Sequence, residues 1–209
     1  MKKYKLTSET TGCDGFILYR IEALMDFSDV KTGDKGGFVQ SENNLSQLGN
    51  AWVYGNAKVC GKAEVYDNAR VCGYANVFCD AKVYGYAEVY NYAEVFDNAK
   101  VYDNAKVYGN AKVFENAEVY DNAEVFDYAD VRGDAKVYKN SDYIVFKNWW
   151  SSGRYFTWTR SNKMWKVGCF YGNGEELIKK AYADSEESGR EYERVVKYVE
   201  SILADELNK

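Results

Sequence analysis

Histidine and proline are both absent from the 209 residues, and the missing histidine excludes most. Without an imidazole there is no ordinary general base titrating near neutral pH, no His-dependent triad and no histidine-held metal. Cysteine is sparse: Cys13, Cys60, Cys72, Cys79 and Cys169 are odd in number and show no C-x-x-C spacing. That pattern suggests neither a disulfide framework nor a zinc site, and predicts free thiols. No segment approaches the roughly 18 apolar residues of a membrane span, and the opening MKKYKLTSETTGCDGF has no apolar run long enough for a secretion signal. The expectation is a cytoplasmic protein with no membrane partner. A formal net charge of -5 argues against general binding to nucleic acid, which needs clustered Lys and Arg.

What is present points to a repeat. Hydrophobic residues make up 46% of the chain, enough for a packed core, and tyrosine is over-represented at 20 residues. From Ala51 the unit Ala-x-Val recurs every six residues through Ala57/Val59 and Ala63/Val65 to Ala135/Val137, fifteen units without an insertion. Each unit reads small residue, charged residue, Val, aromatic, then a pair such as Gly55-Asn56 or Asp67-Asn68. In a strand alternate side chains face opposite sides, so Ala and Val share one side and the charged and aromatic residues the other. Gly-Asn and Asp-Asn pairs tolerate tight-turn angles, so the chain bends after each strand. One bend per six residues makes a polygonal coil, and a unit that cannot bury its own apolar edge must stack on the next turn.

An 18-residue period sorts the outward aromatic positions. One face carries Tyr66, Tyr84, Tyr102, Tyr120 and Tyr138; a second Cys60, Phe78, Phe96, Phe114 and Arg132; a third Tyr54, Cys72, Tyr90, Tyr108 and Phe126. This sorting predicts three sides per turn, hence about five 18-residue coils and a stack roughly 24 Å long at about 4.8 Å per rung. The hexads resemble the hexapeptide-repeat proteins, which implies a left-handed, three-sided parallel β-helix. In the second hexad position, however, Tyr or Phe replaces the family's usual small residue. Upstream, Asp26-Phe27-Ser28-Asp29-Val30-Lys31-Thr32-Gly33, Gly36-Gly37-Phe38-Val39 and Asn44-Leu45-Ser46-Gln47 are similar to the opening of YdcK-like and phage or prophage hexapeptide proteins.

Three regions follow: a cap over residues 1–50, the β-helix over 51–140 and an α+β module over 141–209. In the first, Phe16-Ile17-Leu18-Tyr19-Arg20-Ile21 reads as a strand covering the open end of the stack, where bare Val, Ala and strand edges would invite association. Gly33-Asp34-Lys35-Gly36-Gly37 has the wrong spacing for a phosphate loop and reads as a turn in the cap. In the last region, 143–146, 154–160 and 164–170 read as strands, and 175–183 and 189–207 as helices, giving a βββαα order.

The resemblance raises acyl transfer from coenzyme A, whose usual base is the absent histidine. The acidic residues sit at outward or turn positions, where water keeps them ionised and weakly basic. No cofactor or metal is implied. The candidate features are therefore on the surface. Trp149, Trp150, Trp158 and Trp165 are interleaved with Arg154, Arg160, Lys163 and Lys166, a pattern able to bind a nucleotide, although Trp packed in a small core with Lys and Arg outward would look the same. The ladder of Phe78, Phe96 and Phe114 has no polar tip and is expected to be covered by a sister subunit or the last region. Glu115, Glu118, Asp121, Glu124, Asp127 and Asp130 form an acidic last coil without Lys or Arg among them.

Together these predict a non-catalytic, homo-oligomeric binding or scaffold protein whose last region clasps a partner, with a trimer implied by the resemblance. The phage likeness sharpens this to an inhibitor that blocks a host protein or sequesters a nucleotide. Alternatives are an acyltransferase using acetyl-CoA and a structural spacer.

Overall fold

The computed structural model describes residues 2–13, 15–150 and 152–207. Two long strands come first, β1 (Tyr4–Cys13) and β2 (Phe16–Ala23), then β3 (Lys35–Val39). Fifteen two-residue strands, β4 to β18, run from Trp52–Val53 to Lys136–Val137, one per hexad. They stack in parallel into three sheets, so that each strand pairs with the one three units on, as Val59 with Val77 and Val65 with Val83. The result is a three-sided parallel β-helix with the side count expected from the period, and it matches the left-handed fold that the hexapeptide resemblance implies. The three faces group the residues as the 18-residue spacing sorted them.

The interior follows from size. Every hexad Ala and Val from Ala51 to Val137 is buried, forming a single apolar column. Corners turn through left-handed backbone at Gly55, Asp67, Asn91, Asp103 and their counterparts, where glycine or a short polar residue is the least strained choice.

The stack has about six turns, one more than the hexads alone supply, because the segment after β3 adds an irregular turn. Val39 pairs with Val59, and Leu45 bridges to Val65. Gly36 and Gly37 accordingly lie buried in a strand, which corrects the reading of that stretch as a turn. A Cβ on Gly37 would lie 2.6 Å from both the Ala57 carbonyl and Val53 Cγ1, so nothing larger than glycine fits.

The predicted Phe16–Ile21 strand is one arm of a β1–β2 hairpin that extends one sheet sideways, in the order β1, β2, β3 and then β5 (Lys58–Val59). The open end is covered by Tyr4 and Phe27, packed edge-on against Trp52 at 6.0 and 5.3 Å, together with Ile21 and Val30. Backbone groups left open there are mostly carbonyls, and donors meet them. Asn44 Nδ2 donates to Gly61 and Ala63, the Lys3 ammonium to Ala51 at 2.9 Å, and Arg20 to Gly36 and Gly55.

At the other end backbone amides are open, and acceptors meet them: Asn140 Oδ1 for Glu124, Thr157 Oγ1 for Asp130, Ser161 Oγ for Lys136 and Asp142 Oδ2 for Tyr138. Complementary caps at both ends satisfy the stack and block end-to-end growth.

The last region has four strands rather than three: β19 (Tyr143–Lys147), β20 (Tyr155–Thr159), β21 (Met164–Val167) and β22 (Phe170–Gly172). The expected 164–170 strand breaks because Gly168 takes a left-handed φ of 54°, turning the chain into an antiparallel hairpin. Helices α1 (Gly174–Asp184) and α2 (Glu186–Leu207) cover one sheet face through Leu177, Val196 and Val199. The other face meets the last coil. Among the described residues no helix is long and apolar enough to cross a membrane.

Candidate functional site

The outward aromatics are stacked side by side. Tyr66, Tyr84, Tyr102 and Tyr120 pile at 4.9 to 5.1 Å between ring centroids, and Tyr138 tilts away at the top. Phe78, Phe96 and Phe114 stack at 4.9 and 4.8 Å. Each ring hides its faces on its neighbours, so both ladders are half-buried without an outside partner. The Phe ladder is also closed at both ends. Leu18, Phe38 and Cys60 pack at one end, and the Arg132 guanidinium lies 5.0 Å over Phe114 and 4.4 Å over Tyr171 at the other. Burial pushes the Tyr66 hydroxyl up to about 12, and raises Tyr84, Tyr90, Tyr108 and Tyr120 in the same way. These phenols are hydrogen-bonding tips, not proton carriers at neutral pH.

The six acidic residues run around the last coil rather than along one face. Glu118, Glu124 and Asp130 lie in three different sheets, and Glu115, Asp121 and Asp127 at the corners between them. Neighbouring rungs supply opposite charge. Glu118 pairs with Lys100 at 3.1 Å, Glu115 with Arg132, and Asp130 faces Lys166 at 3.8 Å. Burial outweighs Lys166 and its other cationic neighbours at Asp130, whose carboxyl is raised above the usual range.

The eight tryptophan and basic candidates separate into three groups. Trp158 and Trp165 pair across β20 and β21 on the face that α2 covers and are 2% exposed; they are core residues, and with Lys163 of the β20–β21 turn they line a cavity of about 360 Å³ that Asn173, Glu200 and Leu203 also border. Lys166, on the opposite face, points at the coil, and Arg160 reaches the Ser141 carbonyl and lies 3.8 Å from Asp142. Trp149, Trp150 and Arg154 share the segment between β19 and β20. Trp149 is 83% exposed and stands edge-on to Trp150, which packs on Phe156 and Tyr192.

On the coil-facing side of the sheet, opposite the side where Trp150 packs on Phe156, is a cleft of about 440 Å³ between the last coil and the sheet, lined by Phe126, Asp127, Asn140, Tyr143, Val145, Lys147 and Tyr155. Tyr155 stacks on Tyr128 at 4.3 Å with the Lys147 ammonium 5.7 Å from its ring centroid. Sequence reasoning missed this site. Tyr128, with Tyr74, Tyr86 and Tyr92, occupies the second corner position of its hexad, where Asn is commonest, and that departure was the available signal. Chemically the cleft offers ring faces and edges, a carboxylate, an amide and an ammonium. Among the described residues no group of three Cys, Asp or Glu is placed to hold a metal.

No protein-family model matches the chain. A 62-residue stretch is 39% identical to a protein of Escherichia coli (strain K12) described as "Uncharacterized acetyltransferase YdcK", covering 26% of this chain and 19% of that protein. The chain thus spans about a fifth of the relative's length. That match and the solenoid fit a hexapeptide-repeat fold.

Proposed function

We propose that the protein is a non-catalytic binding protein in which the β-helix is a rigid body and the cleft at its C-terminal end recognises a partner. The observation carrying this is the distribution of rings. Those of the coil's three faces shield one another, whereas Phe126, Tyr143 and Tyr155 wall a 440 Å³ cleft that also offers Asp127, Asn140 and Lys147. Aromatic walls with a few convergent polar groups are the usual composition of a binding pocket. In the sharper form of this reading the molecule is a phage-type inhibitor that binds a host protein or sequesters a nucleotide, and it works as a homo-oligomer, with a trimer favoured by the hexapeptide resemblance.

Capture from a bacterial lysate on the immobilised full chain, with native mass spectrometry for retained ligands, tests it. A partner lost on Lys147→Ala or Tyr155→Ala supports the cleft; retention by both variants refutes it. Sedimentation at micromolar concentration tests the oligomer, and a monomer refutes that part.

The relative's printed name favours a second reading, acetyl transfer. In this chain a carboxylate would have to replace histidine as the base; burial raises the Asp130 carboxyl above its usual range, but its neighbour Lys166 and the sheet cover it. A thermal shift with acetyl-CoA would move the balance to this reading.

A further inference from the structure

Away from the cleft, Cys13 and Cys60 lie on different elements with their sulfurs 3.8 Å apart, the Cys60 thiol donating to Cys13. We propose that this pair is an oxidation site that closes into a disulfide and clamps the N-terminal hairpin to the β-helix. Four features of the structure support it.

The first is contact: at 3.8 Å the sulfurs touch, and neither is in a disulfide. The second is asymmetry of access. Cys60 is 1% exposed in a small apolar cluster with Leu18 and Phe38, whereas Cys13 is half-buried at the rim. An oxidant therefore reaches Cys13 first, with Cys60 behind it to resolve the product. The third is anchoring. The Lys58 ammonium donates to the Gly12 carbonyl at 2.9 Å, holding the end of β1 against the strand that leads into Cys60. The fourth is freedom to close. Cys13 and Phe16 form the last pair of the hairpin, Gly12 and Gly15 have open space around them, and Gly15 takes a left-handed φ of 81°. A movement of roughly 1.7 Å, from contact to the bond length of about 2.05 Å, is within reach of rotation at χ1 and a shift of the tip.

The chemistry balances with hydrogen peroxide as oxidant. The Cys13 sulfur attacks one peroxide oxygen, forming a sulfenic acid and releasing water. The Cys60 sulfur then attacks the Cys13 sulfur, the S–S bond forms, and the sulfenic oxygen leaves as a second water with the thiol proton. Two thiols lose two electrons, and one peroxide gains them. The bond would join residues 47 apart in sequence and restrain the hairpin, including Phe16, which lines an apolar cavity of about 410 Å³ with Cys60, Phe78 and Cys79.

The full-length protein, treated with limiting hydrogen peroxide in the folded state, supplies the test. Thiol titration in denaturant is expected to fall from the chain's five to three, and non-reduced peptide mapping to return a Cys13–Cys60 linkage. The melting temperature should rise by roughly 5–10 °C, reversibly with dithiothreitol. Cys13→Ser and Cys60→Ser should each abolish the rise, while Cys72→Ser and Cys169→Ser keep it. Overturning outcomes are five titratable thiols after treatment, oxidation halted at Cys13 with the Cys60 thiol intact, or a linkage mapped to Cys79.

Discussion

Replacing Lys3 by methionine should change how stability depends on pH more than it changes stability itself. Lys3 is 2% exposed and has no carboxylate partner. Its ammonium donates to the carbonyls of Ala51 at 2.9 Å and of Leu48 and Gly49 at 3.4 Å, and lies 5.1 Å from the centroid of the Phe27 ring. Burial lowers its pKa from 10.5 to about 8. A depressed lysine means that between those values the unfolded chain holds a proton the folded chain has released, so stability rises with pH across the window. At about 1.36 kcal/mol for each pH unit between the two values, keeping this group charged inside the fold costs about 3 kcal/mol at neutral pH. From pH 7 to pH 9.5 about 2 kcal/mol of that cost is relieved.

Methionine fills similar volume, has no proton to lose and leaves the carbonyls unmet, a loss of about 1.5–3 kcal/mol that roughly offsets the relief at pH 7. Urea unfolding of both proteins at pH 7.0 and 9.5 is the assay. The parent is expected to gain about 2 kcal/mol relative to Lys3→Met over that interval, since the tyrosines titrate alike in both. Parallel curves would refute the reasoning and show that three carbonyls hold the charge on Lys3.

Four further perturbations read other parts of the molecule. Gly37→Ala forces a Cβ to 2.6 Å from the Ala57 carbonyl and Val53 Cγ1, so thermal unfolding should show a loss of about 1–3 kcal/mol. Thr157→Val strips the acceptor from the Asp130 amide at a buried junction and should cost about 1–3 kcal/mol, whereas Ser161→Ala, at an exposed one, should cost below about 0.5 kcal/mol. Phe96→Ala removes two stacked contacts at once, about 2 kcal/mol by denaturant melt, and Phe96→Tyr should recover most of it. Tyr155→Ala loses one stacked ring, about 0.5–1.5 kcal/mol by denaturant melt, and should abolish partner capture; unchanged capture counts against the cleft.

The β-helix was legible residue by residue because a strict period constrains every hexad at once. A slip of one residue would place Lys58 or Glu64 in the column, and Val59 and Val65 alone fit there. The sideways hairpin was not legible, because β1 alternates weakly, in Lys5-Leu6-Thr7-Ser8, and gains its structure by joining an existing sheet. The break at Gly168-Cys169 is a single backbone angle inside an otherwise strand-like run. Among the site residues, Trp149 and Trp150 were visible by type. Which of the four late tryptophans faced water depended on strand parity relative to two helices, and parity cannot be counted until the faces are assigned. The cleft combines Phe126 and Tyr128 of the last coil with Lys147 and Tyr155 of the sheet, so its members approach only after the two elements meet.

Where function can reside follows from how the column is satisfied. Alanine and valine fill the interior, leaving no internal site for a ligand, and pairing along the three sheets leaves little hydrogen-bonding capacity on the flanks. Both ends are closed by side chains matched to the backbone groups open there, ammonium and amide against carbonyls at one end, hydroxyl and carboxylate against amides at the other. Recognition must therefore use what is attached to the column. The C-terminal sheet does so most directly, because the same strand that caps the Asp130 amide through Thr157 presents Tyr155 to the cleft two residues earlier on the same face. Capping and binding are thereby coupled: a partner seated on Tyr155 also steadies the seal at Thr157. Partner binding should consequently slow hydrogen exchange at the Asp130 amide, whereas a partner that engaged only the helices would leave that amide unchanged.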